Sequence, residues 1–323
     1  MSIVVVNTGG SLSVEPLDPG ALPGASCAEE AVVVDLVAAD VMPKDRQVAR
    51  GELKVPLPPR FVPGSQAVVR VDGTGELAFA RASIDAAGGL RDGVLADRFV
   101  AEQRWLVPLP DGLDPVVAAA GTAATADALY ALDDLAGWAP GDVVLVLGAS
   151  SGVGAAAVDV ASSRGSLVVA ASRTPQALPV REGVVALGYD DLPAAVRAAT
   201  DAHGADVVID TVGGPLTALG LRATARRGVS VLLGYLAGRD LPLNVIDLIP
   251  TEASLIGMNS GSVPPGRTRE LTAAALELLA DGTHRPTPVH ARPLAEAIDA
   301  LLHDAPGRTV LLGSAYTCLD ETG

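Results

Sequence analysis

The chain has 323 residues, 49% of them apolar and 19% charged, and carries a formal net charge of −15 at neutral pH. That balance excludes a disordered polymer, and so acidic a molecule repels polyanions, so nucleic acid is not an expected partner and anionic membrane surfaces are disfavoured. Two cysteines, Cys27 and Cys318, supply neither a disulfide framework nor a four-thiolate zinc site.

Residues 1 to about 110 read as short strands and turns. Apolar stretches at 3–6, 31–37, 67–71 and 95–100 are separated by clusters of Gly, Pro and Asp. At Asp114-Pro115 the rhythm changes: an N-cap and first helical position open an Ala-rich helix running to about 135. The predicted order is then strand 143–147, helix 154–164, strand 167–171, helix 192–202, strand 207–210, helix 216–226, strand 229–233 and strand 254–257. A helix over 269–281 follows, and the tail returns to strand, helix (293–302) and strand (309–312). Short aliphatic strands alternating with helices predict an α/β fold with a doubly wound parallel sheet, joined to a compact β-rich domain. No uninterrupted apolar run approaches the ~18 residues of a membrane span, and residues 1–7 lack the basic lead of a secretory signal. A cytoplasmic protein is the expectation.

The chemistry concentrates at Val143-Val-Leu-Val-Leu-Gly-Ala-Ser-Ser-Gly-Val-Gly154, a buried-type strand passing into a helix. Small residues there let the backbone approach a pyrophosphate, and the helix start supplies positive potential. Ala149 and Ser151 stand where the strictest dinucleotide fingerprint has glycine. The same stretch, Gly148-Ala-Ser-Ser-Gly152, also matches the nucleophile elbow of serine hydrolases, with Asp210 and then His284 or His290 following in the right order. The β-rich region before it and the lack of a His-Gly-Gly loop favour the dinucleotide reading. At the end of the next strand, Ser172-Arg173-Thr174 offers a cation and two hydroxyls instead of an acid, which suits the 2′-phosphate of NADPH.

The motifs then add up in order. Met42-Pro-Lys-Asp45 with Arg50-Gly51, Pro63-Gly64, Val107-Pro-Leu-Pro-Asp-Gly112, Pro140-Gly-Asp-Val-Val-Leu-Val146, Gly204-Ala-Asp-Val-Val-Ile-Asp-Thr-Val-Gly-Gly214, Leu232-Leu-Gly234 and Gly307-Arg-Thr-Val-Leu311 span nearly the whole chain. The sequence resembles the zinc-independent medium-chain dehydrogenases/reductases, quinone oxidoreductase-like. The resemblance implies a Rossmann cofactor domain over 118–261 and a GroES-like catalytic domain from 1–117 with 262–323. It implies that Ser151, Gly152 and Val153 hold the pyrophosphate, that Ser172, Arg173 and Tyr189 hold the 2′-phosphate end, and that Thr125, Val212, Gly213, Gly234, Tyr235, Met258 and Asn259 surround the nicotinamide and its ribose. Asp45 is placed on the substrate side, and Tyr235 is a candidate proton source. The implied activity is metal-free hydride transfer from NADPH to a quinone or enone, by a homodimer pairing at the strand 254–257. The alternatives are a reductase of a specialised biosynthetic intermediate, a low-turnover NADPH-binding sensor or partner protein, and a serine hydrolase using Ser150. Four positions depart from the family pattern. Ser65-Gln66 follows Gly64 where zinc-dependent relatives have His and Glu; Met42 replaces an Asn; Leu53 stands near where enoyl-thioester reductases carry a Tyr.

Overall fold

The structure, a computed structural model, describes residues 2–24, 30–52, 57–81, 92–286, 289–304 and 306–316. In chain order the strands and helices are β1 (Ile3–Thr8), β2 (Ser11–Pro16), β3 (Ala31–Asp40), α1 (Pro43–Ala49), β4 (Arg60–Phe61), β5 (Gln66–Val71), β6 (Leu77–Arg81), β7 (Arg98–Glu102), β8 (Leu106–Pro108) and α2 (Pro115–Leu129). They continue with β9 (Val143–Leu147), α3 (Gly152–Ser163), β10 (Leu167–Ala171), β11 (Val184–Leu187), α4 (Leu192–Ala199), β12 (Ala205–Asp210), α5 (Pro215–Ala223), β13 (Thr224–Leu232) and β14 (Ser254–Gly257). The last are α6 (Pro265–Ala280), β15 (Val289–Pro293), α7 (Ala297–Leu302) and β16 (Arg308–Leu312). The chain divides into two compact units: Met1–Ala123 with Pro264–Asp281 and Arg285–Gly323, and Ala124–Val263 with Gly282–His284.

The first unit is built on a mixed sheet ordered β15-β16-β3-β5-β6-β8, with β7 also on β3, beside an antiparallel trio β2-β1-β4. Period-two alternation sorts its side chains. On β5, Ala67 and Val69 enter one apolar cluster with Val5, Leu36 and Leu95, whereas Val68 enters another with Phe79, Ala119 and Val310. α1 falls in a stretch without helical periodicity. Pro43 opens it, and the Asp45 carboxylate caps it by accepting the Met42 N–H at 3.0 Å.

The second unit carries an all-parallel sheet ordered β11-β10-β9-β12-β13-β14. Its inner strands read as continuous aliphatic runs because both faces are covered. Val144–Leu147 and Val168–Ala171 are at most 1% exposed. Counted from β9, the order is three-two-one-four-five-six, which reverses beside β9 and opens a crevice at the strand C-termini between β9 and β12. α2 continues into a wider turn over Tyr130–Ala136, and the stretch Pro115–Ala136 is long and apolar enough to cross a membrane. With 72% of its most apolar window buried inside the protein, it behaves as a core helix.

Candidate cofactor site

Beyond β9 the backbone turns at Gly148, and Ser151 becomes the N-cap of α3. Its Oγ accepts the Gly154 N–H at 3.0 Å, while its own N–H bonds the Gly148 carbonyl at 2.8 Å. Gly154 has no alternative: a Cβ there would stand 2.2 Å from the Gly148 oxygen. The loop is thus closed on itself, and the start of α3, with the first-turn N–H groups of Gly152 and Val153 and the helix dipole behind them, is suited to an anion.

Thr211, just past β12, ties this loop to the next. Its N–H and hydroxyl both reach the Leu147 carbonyl, at 3.1 and 2.9 Å, and its Oγ1 lies 3.0 Å from Ser151 Oγ. With the threonine hydrogen given to Leu147, Ser151 is the donor between the two hydroxyls. Ser151 is therefore committed to holding the loop, and the exposed hydroxyl beside it is that of Ser150, 3.4 Å from Ser172 Oγ. Ser172 itself is buried and accepts the Thr174 N–H at 3.2 Å. Tyr189 Oη accepts the Gly148 N–H at 3.1 Å and donates to the Ala171 carbonyl at 3.3 Å. Burial pushes its hydroxyl pKa above the ordinary phenolic value, against the Gly148 bond.

Asp210 organises the other wall. One carboxylate oxygen accepts the N–H groups of Val212 and Gly213, both at 2.9 Å, and the other accepts Thr217 Oγ1 at 2.5 Å. The residue is fully buried, so these bonds replace the water it has lost. The loops after β12 and β13 then meet backbone to backbone. A Cβ on Gly234 would fall 1.9 Å from the Thr211 oxygen, and Ala237 N–H bonds the Val212 carbonyl at 2.9 Å.

Between these walls lies a cavity of about 440 Å³, lined by Gly148, Ser150, Ser151, Arg173, Tyr189, Thr211, Val212, Leu216, Leu236 and Ala237. Among the residues singled out in the sequence, Ser151, Arg173, Tyr189 and Val212 line it. Gly213 and Gly234 are not among the lining residues but lie in the two loops that supply Thr211, Val212, Leu236 and Ala237 to it. Tyr235 is 44% exposed with the Arg239 guanidinium 5.5 Å from its ring centre. Met258 N–H bonds the Leu232 carbonyl at the end of β13, and Asn259 turns its amide onto Gly261 and Ser262. Thr125 is fully buried in α2 and is not among the lining residues. Thr211 and Ser150 were not singled out for the cofactor; the signal for Thr211 is the hydroxyl next to Asp210 in the Asp-Thr-Val-Gly-Gly run.

Ser150 does not form a hydrolase triad among the described residues. Its backbone is not in the left-handed region that a strained nucleophile turn uses, Asp210 is spent on its own loop, and His284 is held 2.8 Å from Asp159. In the first unit, Asp45 is buried, with Ser65 Oγ 2.5 Å from Oδ1. Zinc does not fit this place. The Asp45 carboxylate is engaged on both oxygens by the Met42 N–H and the Ser65 hydroxyl, and no group of three ligating side chains occurs among the described residues. Leu53 lies outside the described residues.

The zinc-binding dehydrogenase family matches residues 152–281. Erythronolide synthase EryA2 of Saccharopolyspora erythraea is 32% identical over 290 residues, 86% of this chain and 8% of that protein. A quinone oxidoreductase-like protein 2 homolog of Nematostella vectensis is 29% identical over 234 residues, 69% of this chain and 64% of that one. The chain thus spans about a tenth or less of the polyketide synthases it matches. The quinone oxidoreductase of Thermus thermophilus, solved also as its complex with NADPH, superposes with a TM-score of 0.77 at 28% identity, covering 96% of this chain and 99% of that one. A three-two-one-four-five-six sheet with a glycine-closed loop at its switch point, carried with a separate β-rich unit, is the architecture of the medium-chain dehydrogenase/reductase family, to which the chain belongs. Within it, the chain belongs with the quinone oxidoreductase-like members.

Proposed function

We propose that the protein is an NADPH-dependent reductase that delivers hydride to the conjugated carbon of a quinone or enone without a metal. The observation that carries this is Arg173 at the C-terminal end of β10, lining the same cavity as Ser150 and Tyr189 where an NADH enzyme would place an acid. In this reading Gly152 and Val153 bind the pyrophosphate through their N–H groups, and Arg173, with Ser150 and Ser172, takes the 2′-phosphate. Val212, Gly213, Gly234 and Tyr235 present backbone polar groups to the nicotinamide end, with Thr125, Met258 and Asn259 beyond. Bound NADPH supplies the hydride; the protein orients it and stabilises the enolate that forms on the substrate.

The matches to polyketide synthases favour a second reading, in which the conjugated carbonyl belongs to a specialised biosynthetic intermediate. One experiment separates them. Loss of reduced-nicotinamide absorbance is followed with NADPH and NADH against quinones, free enones and enoyl thioesters. Turnover with NADPH and quinones or free enones supports the first reading, and turnover confined to thioesters supports the second. Binding of NADPH without turnover on any of them supports a sensor instead.

A further inference from the structure

Tyr189 stands two residues past β11 in the second unit, and its side chain spans the end of β10 to reach the end of β9. The three strands are parallel neighbours in the sheet. Its ring is half-buried against the apolar cluster of Leu147, Val169, Ala171 and Leu192. Its hydroxyl is used twice, accepting the Gly148 N–H at 3.1 Å and donating to the Ala171 carbonyl at 3.3 Å. A phenol has one hydrogen. Burial pushes the Tyr189 pKa above the ordinary phenolic value, so the group keeps that hydrogen at neutral pH and gives it to Ala171.

Gly148 and Ala171 are the points at which the two cofactor loops leave the sheet. Gly148, with φ 81°, starts the turn that Ser151 closes onto α3, and Ala171 leads into Ser172 and Arg173. The N–H groups of Gly148 and Ala149 also bond the Ala171 carbonyl, both at 3.0 Å. From the other side the turn is closed by Thr211, whose Oγ1 would lie 2.2 Å from a Cβ on Gly148. Tyr189 and Thr211 thus hold Gly148 between them. The donors on the cavity that carry no such commitment are the exposed Arg173 guanidinium and the exposed Ser150 hydroxyl, which accepts from Ser172 at 3.4 Å.

We propose that Tyr189 is a positioning residue of the phosphate loop and not a ligand of the 2′-phosphate. The inference rests on the NADPH reading above and deepens it. By fixing Gly148, Tyr189 sets where the Gly152 and Val153 N–H groups stand, and so acts at one remove on the pyrophosphate that NADPH and NADH share. Discrimination between the two cofactors is left to Arg173 and Ser150.

The test uses the full chain and two fragments that divide these roles. Adenosine diphosphate carries the pyrophosphate without the 2′-phosphate, and adenosine 2′-monophosphate carries the 2′-phosphate without the pyrophosphate. Tyr189→Phe keeps the ring and removes only the hydroxyl. By calorimetry it is expected to weaken adenosine diphosphate about 3–10-fold, the scale of one neutral hydrogen bond, and to leave adenosine 2′-monophosphate unchanged. NADPH and NADH weaken by the same factor, so their ratio stays that of the wild type. Arg173→Asp gives the opposite pattern, losing adenosine 2′-monophosphate and keeping adenosine diphosphate. General loosening of the fold would weaken both fragments in Tyr189→Phe, and that result overturns the assignment. So does a Tyr189→Phe protein that loses adenosine 2′-monophosphate and NADPH while keeping adenosine diphosphate and NADH, or one that binds all four as the wild type does. Wild-type protein that binds neither NADPH nor NADH overturns the cofactor reading itself.

Discussion

At the scale of the residue, cofactor preference turns on one guanidinium. Arg173 is exposed at the cavity rim, and a charge-assisted bond from it to a 2′-phosphate contributes roughly 1.5–3 kcal/mol. Arg173→Asp is therefore expected to weaken NADPH binding at least about tenfold and leave NADH binding little changed, as read by fluorescence titration. Loss of both affinities together would place Arg173 in the fold and not at the phosphate. This residue was legible in the sequence because a polar side chain at the C-terminus of a buried strand has few other uses. That Ser151 caps α3 while the Ser150 hydroxyl stays exposed was not. Both are serines in one turn that line the cavity, and which one caps α3 and which keeps an exposed hydroxyl depends on Thr211, sixty residues away along the chain.

Elements were legible where burial is complete. Strands at 143–147 and 167–171 stand where the apolar runs place them, since a parallel strand buried on both faces leaves an unbroken signature. α4 stops at Ala199, short of the expected 202, because Asp201 and Ala202 take positive φ of 48° and 67°. α1 escaped the periodicity because it turns Asp45 and Arg46 inward with Val48 and Ala49, mixing charge into its buried face. The free edge β14 carries a proposal of its own, pairing of two copies of this chain across a twofold axis. The Met258 N–H points at Leu232, so with a period of two the Ile256 N–H also faces β13 and the Leu255 N–H faces outward. Leu255→Pro removes only an outward donor and is expected to shift the protein to monomers in sedimentation with the cofactor unit intact. Leu255→Pro protein that still sediments as a dimer would move the interface elsewhere.

At the scale of the whole molecule, the first unit holds an ion pair, Asp40 with Arg308, between two of its three chain segments. Asp40 is fully buried, accepts Arg308 and the Gln66 amide at 3.3 Å, and keeps Oδ1 without a partner. Burial raises its pKa to about 6, only partly opposed by Arg308. A carboxyl with a folded pKa above its unfolded 3.8 costs stability when ionised, so the cost is full above about 6 and is relieved as pH falls towards 4. The linkage amounts to ~3 kcal/mol. Wild-type protein is therefore expected to gain on Asp40→Asn in melting temperature as pH is lowered from 7 to 4.5. A pH-independent difference between the two would show that Asp40 stays ionised throughout.

The partners of that ion pair lie 268 residues apart in the chain. On a ribosome adding 5–20 residues each second, β3 exists for roughly 10–50 s before β16 can dock beside Asp40. During that interval the edge of β3 at Ala38–Asp40, beyond the part paired with β7, is unclaimed, and the Asp40 carboxylate lacks Arg308. The parallel sheet, whose strands all lie between Val143 and Gly257, is complete before then. The parallel sheet can therefore close before the mixed one, in which β3 waits for β16.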